Sequence, residues 1–355
     1  MDILAPRPSP AHSSRSLLIE IFYIKNLLSL FLFTSLLFTA CSGNRSEDAE
    51  SQGNTSEILI VCNNTEWKGA IGDSIRAMFS NPMEGLPDSE AEFTLINIPE
   101  VDFTNLLQLQ RNILLVERIA GKGKSKVETL TDVWSHPQRV IKIKASSDTA
   151  FISLFAKHGA AIRELFNQSE RARFDVSSST NRNSDIERKL SQEFGVKMKI
   201  SKDFKLVKNT CVFLWMQSNS AAGNLNLLIY TLPFRNLEQL TPDSIAAFRN
   251  RKIQQFINFT PENSNLKVDP EVFIPVSRQI LFKDLCARET RGFAVRNGDS
   301  LSQPFINYTI VDAPRQRTVV FDGSVNFIIN PKRDGIRQLD SMIWEAEFCK
   351  LSKKE

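Results

Sequence analysis

Histidine is scarce in this chain. Of 355 residues only His12, His136 and His158 are histidines. A Ser-His-Asp relay or a zinc centre behind residue 41 would have to be built on His136 or His158 alone. His158 falls on the apolar face of a helical pattern, where it reads as a core residue. His136 precedes Pro137 in a turn, with Asp132 four residues away and no second group at metal-ligand spacing. No G-x-S-x-G, H-E-x-x-H or Walker pattern is present. Charge of one sign is lacking too: 44 Lys and Arg stand against 40 Asp and Glu, which excludes the basic footprint of a nucleic-acid binder. No apolar run reaches the roughly 20 residues that a transmembrane helix needs. What these absences leave open is carboxylate chemistry, since paired acids converge in space and leave no spacing to read.

What is present begins at Lys25. One positive charge is followed by Asn26–Ala40, fifteen residues without charge, Gly or Pro, and then by Cys41. A basic start, an apolar centre and small residues before a cut are the parts of a secretory signal. Phe38-Thr39-Ala40-Cys41 resembles the lipobox of bacterial lipoproteins, which implies that Cys41 is the lipid-attachment residue. An uncleaved anchor and a plain cleaved signal are the alternatives; a spanning helix extended back to Ser16 would place Glu20 and Lys25 in hydrocarbon. Residues 1–24, with Pro6, Pro8 and Pro10, do not fit a short n-region, so a start codon set too early is expected. Three basic and two acidic residues precede Cys41, leaving a net charge of +3 behind it.

Ser42–Ser56 holds no aromatic or large aliphatic residue and cannot bury enough surface to offset its ordering entropy. With Cys41 it reads as a flexible tether over 41–56. The folded body then divides into an N-terminal α/β half over 57–180 and a C-terminal α+β half over 181–355, either separate or continuous.

Ile58–Cys62 is a short unbroken apolar run, the pattern of a strand buried on both faces. A helix follows with Ile71, Ile75, Met78 and Phe79 on one face. Further strands are predicted over 93–98, 112–119 and 138–145, with Ala120–Lys126 a loop. Phe151, Leu154, Phe155, Ile162, Leu165 and Phe166 predict a helix over 148–166. The polar stretch Val176–Asp185 marks a boundary, and the next helix ends at Gly195. The second half is richer in strands: 196–200, 211–217, 225–232, 292–296, 305–311 and 318–329. Between them Thr241-Pro242 opens a helix, and a last helix starts near Asp334. The fold class is α+β, with mixed and antiparallel sheets, flanking helices, and βα units confined to the first half.

The body also resembles a Bacteroidetes lipoprotein family catalogued as domain of unknown function 4837. The resemblance is carried by Ile60-Val61-Cys62, Trp67, Gly69, Ile71-Gly72-Asp73, Gly85-Leu86-Pro87, Arg111-Asn112-Ile113-Leu114 and Trp134. In the second half it rests on Phe213-Leu214-Trp215, Leu228-Ile229-Tyr230-Thr231, Arg291-Gly292, Pro304-Phe305, Tyr308, Pro331-Lys332-Arg333 and Ile336-Arg337-Gln338-Leu339. The chain departs from the family at Ser302-Gln303 and at Val325-Asn326-Phe327. The resemblance implies a lipoprotein of the cell envelope, facing the periplasm or the cell surface, and brings no activity.

Two features bear on ligands. Gly69 and Gly72 lie between a strand and a helix but lack a third glycine and a lysine, and Asp73 would repel an anion; they read as a turn and cap. Lys332, Arg333 and Arg337 sit at the start of the last helix, where unsatisfied backbone N–H groups add positive potential. They are the candidate anion-binding residues. Four cysteines remain behind Cys41, and the apolar settings of Cys62 and Cys211 point to free thiols. The sequence therefore describes a lipid-anchored binding or structural module of the envelope, more a binder than an enzyme, with no cofactor or metal. Its partners are the membrane, through the anchor, and an envelope protein or glycan ligand; nucleic acid is not among them. An envelope hydrolase using paired carboxylates is the alternative.

Overall fold

The computed structural model describes residues 49–350, apart from 88, 121–122, 179–180, 222, 258–265, 297–301 and 328–330. The signal segment, Cys41 and the first part of the tether lie outside the described residues. Asp48–Glu355 forms one compact unit. None of its described helices is long and apolar enough to cross a membrane.

The first half is a βα arrangement around a five-stranded sheet. Strand β1 (Glu57–Val61) leads through two helices, α1 (Asn64–Lys68) and α2 (Ala70–Phe79), to β2 (Thr94–Ile98). A short α3 (Asn105–Gln108) precedes β3 (Asn112–Arg118), β4 (Lys126–Thr131), β5 (Arg139–Ala145) and the long helix α4 (Asp148–Ser178). The sheet order is β2-β1-β3-β5-β4, parallel except for the edge strand β4. β1 is buried at every position, as its unbroken apolar run requires. Ile58 and Ile60 face α2 and α4, in a core where Phe79 meets Phe93, Phe155 and Phe166 edge to face. Each such pair adds about 0.5–1.5 kcal/mol beyond its area. Leu59 and Val61 face the opposite layer with Ile113 and Val140. Gly72 lies inside α2, where a Cβ would come within 1.8 Å of the Trp67 carbonyl oxygen. That close approach explains the glycine, and no phosphate loop is formed.

The second half opens with α5 (Ser184–Lys189), whose last turn ends at Gly195 with φ 62°, the left-handed stop that glycine tolerates. Then come β6 (Val196–Lys197), β7 (Phe204–Thr210), β8 (Phe213–Ser220), β9 (Gly223–Pro233) and α6 (Pro242–Phe256). They are followed by β10 (Leu266–Lys267), β11 (Val276–Phe282), β12 (Leu285–Arg296), β13 (Ser302–Asp312), β14 (Arg317–Phe327), α7 (Lys332–Trp344) and β15 (Glu347–Phe348). An antiparallel sheet of order β10-β12-β13-β14-β9-β8-β7 carries β11 beside β12, and β6 pairs separately with β15. Period-two alternation gives this sheet two distinct faces. Leu214, Leu227, Ile229, Ile306, Val319 and Phe321 pack inward with Ile336, Leu339 and Ile343 of α7. Phe213, Leu228, Tyr230 and Val320 face the other way, toward Ile253 of α6.

Three departures from the sequence reading have one cause. β4, β7 and β11 lie near sheet edges or carry lysine, arginine and glutamine on an exposed face, so they show too little apolar alternation to be read. Cys211, expected to be buried in a strand, is exposed in the turn between β7 and β8. The helix predicted over 148–166 continues to Ser178, because its second part buries Glu170 and Arg173 through ion pairs rather than an apolar stripe.

Residues 49–56, expected to belong to a flexible tether, are ordered. Glu50 bridges to His136 and Gln52 to Gln110 in parallel register, and the Asn54 amide donates to Glu57 at 3.0 Å. Ser56 is fully buried. Its backbone N–H donates to Glu170 at 3.2 Å and its hydroxyl donates to Asp334 at 3.3 Å. Residues 49–56 hold few apolar atoms, so they are ordered by backbone pairing and by buried charge, neither of which composition reveals.

Candidate functional site

The predicted anion-binding residues open α7, and Arg333 and Arg337 share a face, as a four-residue spacing requires. That face is turned inward: Arg333 is 7% exposed and Arg337 5%. Arg333 donates to the Ala91 carbonyl at 2.7 Å and to Asp334 at 3.0 Å. Arg337 donates to Asn167 Oδ1 at 2.6 Å and to the Glu92 carbonyl at 2.9 Å, with its guanidinium 4.5 Å from the Phe93 ring centre. The helix N-terminus is taken as well, because Glu90 accepts from the backbone N–H of Lys332 at 3.0 Å and of Arg333 at 2.9 Å. The anion at this helix start is the protein's own carboxylate. Arg333 and Arg337 join α7 to the first half and are not an external anion site.

The joint continues through buried charge. Glu170 is 1% exposed and accepts from Asn112 Nδ2 at 2.7 Å, Arg173 Nη1 at 2.5 Å and Arg111 Nη1 at 3.3 Å. Burial would raise its carboxyl, but Arg173, Arg111 and Arg337 together hold it below the usual carboxylate value. Burial in turn pushes the Arg173 guanidinium down to about 10. A second knot forms where Tyr308 donates to Asp340 at 2.5 Å and Trp344 Nε1 donates to Tyr308 at 2.9 Å. Arg291 pairs with Glu289 at 2.5 Å and with Asp340 at 3.5 Å, and Arg171 with Asp340 at 3.2 Å.

This knot walls a cleft of about 720 Å³ that also touches Arg163, Glu164 and Arg278. Glu289 and Asp340 converge here on the Tyr308 hydroxyl, and Glu84, Glu92, Glu164 and Glu345 also line the cleft. Burial alone would raise Asp340, yet Arg171 and Arg291 hold it below the usual range. A glycosidase acid must be held above that range to keep its proton. Asp340 is pinned in the opposite state.

A second space lies on the far face of the eight-stranded sheet, under α6. It has a volume of about 260 Å³ and is walled by Trp215, Leu228, Ile253, Ile257 and Leu266 together with Gln217, Asn224, Asn226, Gln303, Ser324, Asn326 and the charged Arg296. Strand register explains the grouping. Gln217 stands opposite Asn226, Asn226 opposite Ser324, and Asn224 opposite Asn326. All are on the face that alternation turns away from the main core. Arg249 of α6 also lines this pocket, is 1% exposed, and donates through Nε to both oxygens of the fully buried Asp322 at 3.2 and 2.9 Å. Its guanidinium lies 4.1 Å from the Phe305 ring centre. Arg249 Nη1 is buried with no hydrogen-bond partner among the described residues, and leaving such a donor unmet costs about 1–3 kcal/mol.

Residues 183–344 match the family model of DUF4837, a domain of unknown function. This part of the chain is a DUF4837 domain. Residues 51–179 match a different model, DUF8532, also a domain of unknown function, so the first-half residues that carried the resemblance fall outside the DUF4837 match. The pocket under α6 lies wholly within the DUF4837 domain, whereas the charged joint ties it to the DUF8532 part. No curated protein is significantly similar to the chain. Solved structures resemble it only faintly. The Saccharomyces cerevisiae Ran-binding protein Mog1p is 7% identical, covering 43% of this chain and 90% of its own, at a TM-score of 0.29. A Bacteroides thetaiotaomicron protein is 9% identical, covering 45% of this chain and 47% of its own, at 0.26. Human StAR-related lipid transfer protein 5 is 11% identical, covering 50% of this chain and 95% of its own, at 0.16. At these scores the likenesses carry no argument.

The sequence reading missed the pocket, though one signal for it was present. Asn224, Asn226, Asn307, Asp322, Ser324 and Asn326 occupy alternate positions in strands whose other positions are apolar, on a sheet face that a helix partly covers. Polar residues repeated at period two on a covered face call for partners. His136 Nδ1 lies 3.1 Å from Asp132 Oδ2 with both side chains open to solvent, and His158 is half-buried on α4. No group of three metal-ligating side chains occurs among the described residues. Cys62, Cys211, Cys286 and Cys349 are free, and burial, with Glu66 nearby, pushes the Cys62 thiol up to about 11.

Proposed function

We propose that this protein is a lipid-anchored binding module of the cell envelope and that its ligand site is the pocket between α6 and the outer face of the eight-stranded sheet. The observation carrying the binding role is the composition of that pocket, in which amide side chains and two arginines, Arg249 and Arg296, share one space with apolar walls. Ligand pockets have this make-up, mostly apolar with a few placed polar groups. At the Glu289–Asp340 pair the paired-carboxylate alternative is disfavoured, because Asp340 is locked between two arginines.

The anchoring half of the proposal rests on the Lys25–Cys41 pattern. Cys41→Ala is expected to abolish labelling by a clickable palmitate analogue in cells and to leave the precursor uncut; unchanged labelling would overturn it. The binding half is tested by a thermal-shift screen of small polar molecules on the chain from residue 48. A ligand at a hundred times its Kd stabilises by about 2.7 kcal/mol. Asn326 is exposed at the pocket mouth, so Asn326→Trp fills the mouth without touching the core. Hits that stabilise the wild type and not Asn326→Trp support the pocket. Hits shared equally by both place binding elsewhere and overturn it, as does a screen without hits.

A further inference from the structure

We infer that the pocket under α6 takes a single uncharged sugar ring, an inference that rests on the reading of this pocket as the ligand site. Charge balance is the first step. Arg249 and Asp322, 1% and 0% exposed, neutralise each other at the pocket floor, and Asn307 Nδ2 supplies Asp322 with a further donor at 2.9 Å. A ligand anion entering this floor would find Arg249 already paired, Arg296 of the pocket lining has an interaction of its own, and a ligand cation would meet both guanidinium groups. Neither gains enough to offset its own desolvation. A neutral ligand leaves this buried pair undisturbed.

The walls supply the second step. Asn226 Oδ1 already accepts from Trp215 Nε1 at 3.0 Å and from Gln217 Nε2 at 2.9 Å. Its own NH₂ remains a donor, and the Gln217 carbonyl remains an acceptor. Gln303 and Asn326 likewise offer both donor and acceptor. These amides come from four neighbouring strands, β13, β14, β9 and β8, and stand side by side on one face of the sheet, so they line one wall of the space. That arrangement suits hydroxyls along one edge of a ring, each of which both donates and accepts. The hydrogen bond to Asn226 fixes the Trp215 indole in place, and Trp215 with Leu228 and Ile253 gives an apolar surface for the C–H face of the ring. A volume of about 260 Å³ lies below the roughly 300–1,000 Å³ of sites for drug-sized ligands, which limits the occupant to about one ring.

The test uses saturation-transfer NMR and titration calorimetry on the chain from residue 48. The probes are methyl glucoside, methyl galactoside, methyl mannoside and N-acetylglucosamine, with glucuronate, adenosine and an N-acetyl dipeptide amide as competing chemistries. At least one neutral glycoside is expected to bind, with affinity reduced about tenfold or more in Trp215→Ala, a loss of about 1.4 kcal/mol. Gln217→Ala, at a half-buried position, should weaken binding while circular dichroism and melting stay as in wild type, which separates ligand contact from folding. Binding of glucuronate, adenosine or the dipeptide amide that is lost in Asn326→Trp, with no glycoside binding, would overturn the sugar while leaving the pocket as a ligand site. Absence of binding by every probe and in the wider screen would overturn both.

Discussion

Glu170→Ala is expected to destabilise the protein by about 3–5 kcal/mol, the usual cost of removing one partner of a buried ion pair. Its melting temperature should fall by roughly 6–10 °C, at about 2 °C per kcal/mol for a chain of this size. The reason is the set of groups that Glu170 satisfies. Arg173, the Asn112 amide and the Ser56 N–H all donate to it, and Arg173 is itself only 8% exposed. Without the carboxylate the guanidinium is left buried with its charge unmet. Acid should produce the same loss gradually. The folded-state value of Glu170 is depressed, so its contribution is complete above its unfolded value. It is lost as pH falls through the lower folded value. The difference in melting temperature between wild type and Glu170→Gln should therefore be largest near neutral pH and shrink progressively below about pH 4.5. A difference that stays constant down to pH 3 would show that the Glu170 charge does not contribute.

The second large effect is expected from the double substitution Arg333→Gln, Arg337→Gln. An external anion site would lose binding and keep its melting temperature. The observed partners dictate the reverse. Arg333 holds the Ala91 carbonyl, and Arg337 holds Asn167, the Glu92 carbonyl and the face of Phe93. Hydrogen bonds to charged groups contribute about 1.5–3 kcal/mol each, so a loss of roughly 3 kcal/mol or more is expected, read as a lower midpoint in urea. Inorganic phosphate should leave the wild-type midpoint unchanged, because Glu90 already occupies the N–H groups at the start of α7. A midpoint unchanged by the substitutions, together with stabilisation of the wild type by phosphate, would restore the external site.

Apolar periodicity carried what was legible in the sequence. β1 reads as buried on both faces because five apolar residues follow one another, and α2 and the first part of α4 read from Ile71, Ile75, Phe151 and Phe155. Gly195 and Thr241-Pro242 mark helix ends by local backbone chemistry, which sequence reports directly. Long-range charge pairing was not legible. Arg337 looks the same in sequence whether it faces water or Phe93, and only the fold brings Asn167 and Glu92 to it across 170 and 245 residues of chain. The same blindness hid the ordering of Ala49–Ser56, whose partners His136, Gln110 and Glu170 lie far along the sequence. The pocket was hidden for another reason: its amides belong to four strands, and none is unusual alone.

The path of the chain into β1 has a mechanical consequence. Glu50 and Gln52 pair in parallel register with His136 and Gln110, and β1 then runs between two parallel neighbours, β2 and β3. A pull toward the N-terminus along this path draws the hydrogen bonds of both ladders lengthwise together, so they share the force rather than opening one after another like a zipper. The bridges at 50 and 52 and the Ser56–Glu170 contact take the strain before the central strand does. A body built in this way resists extraction by drag at its N-terminal end.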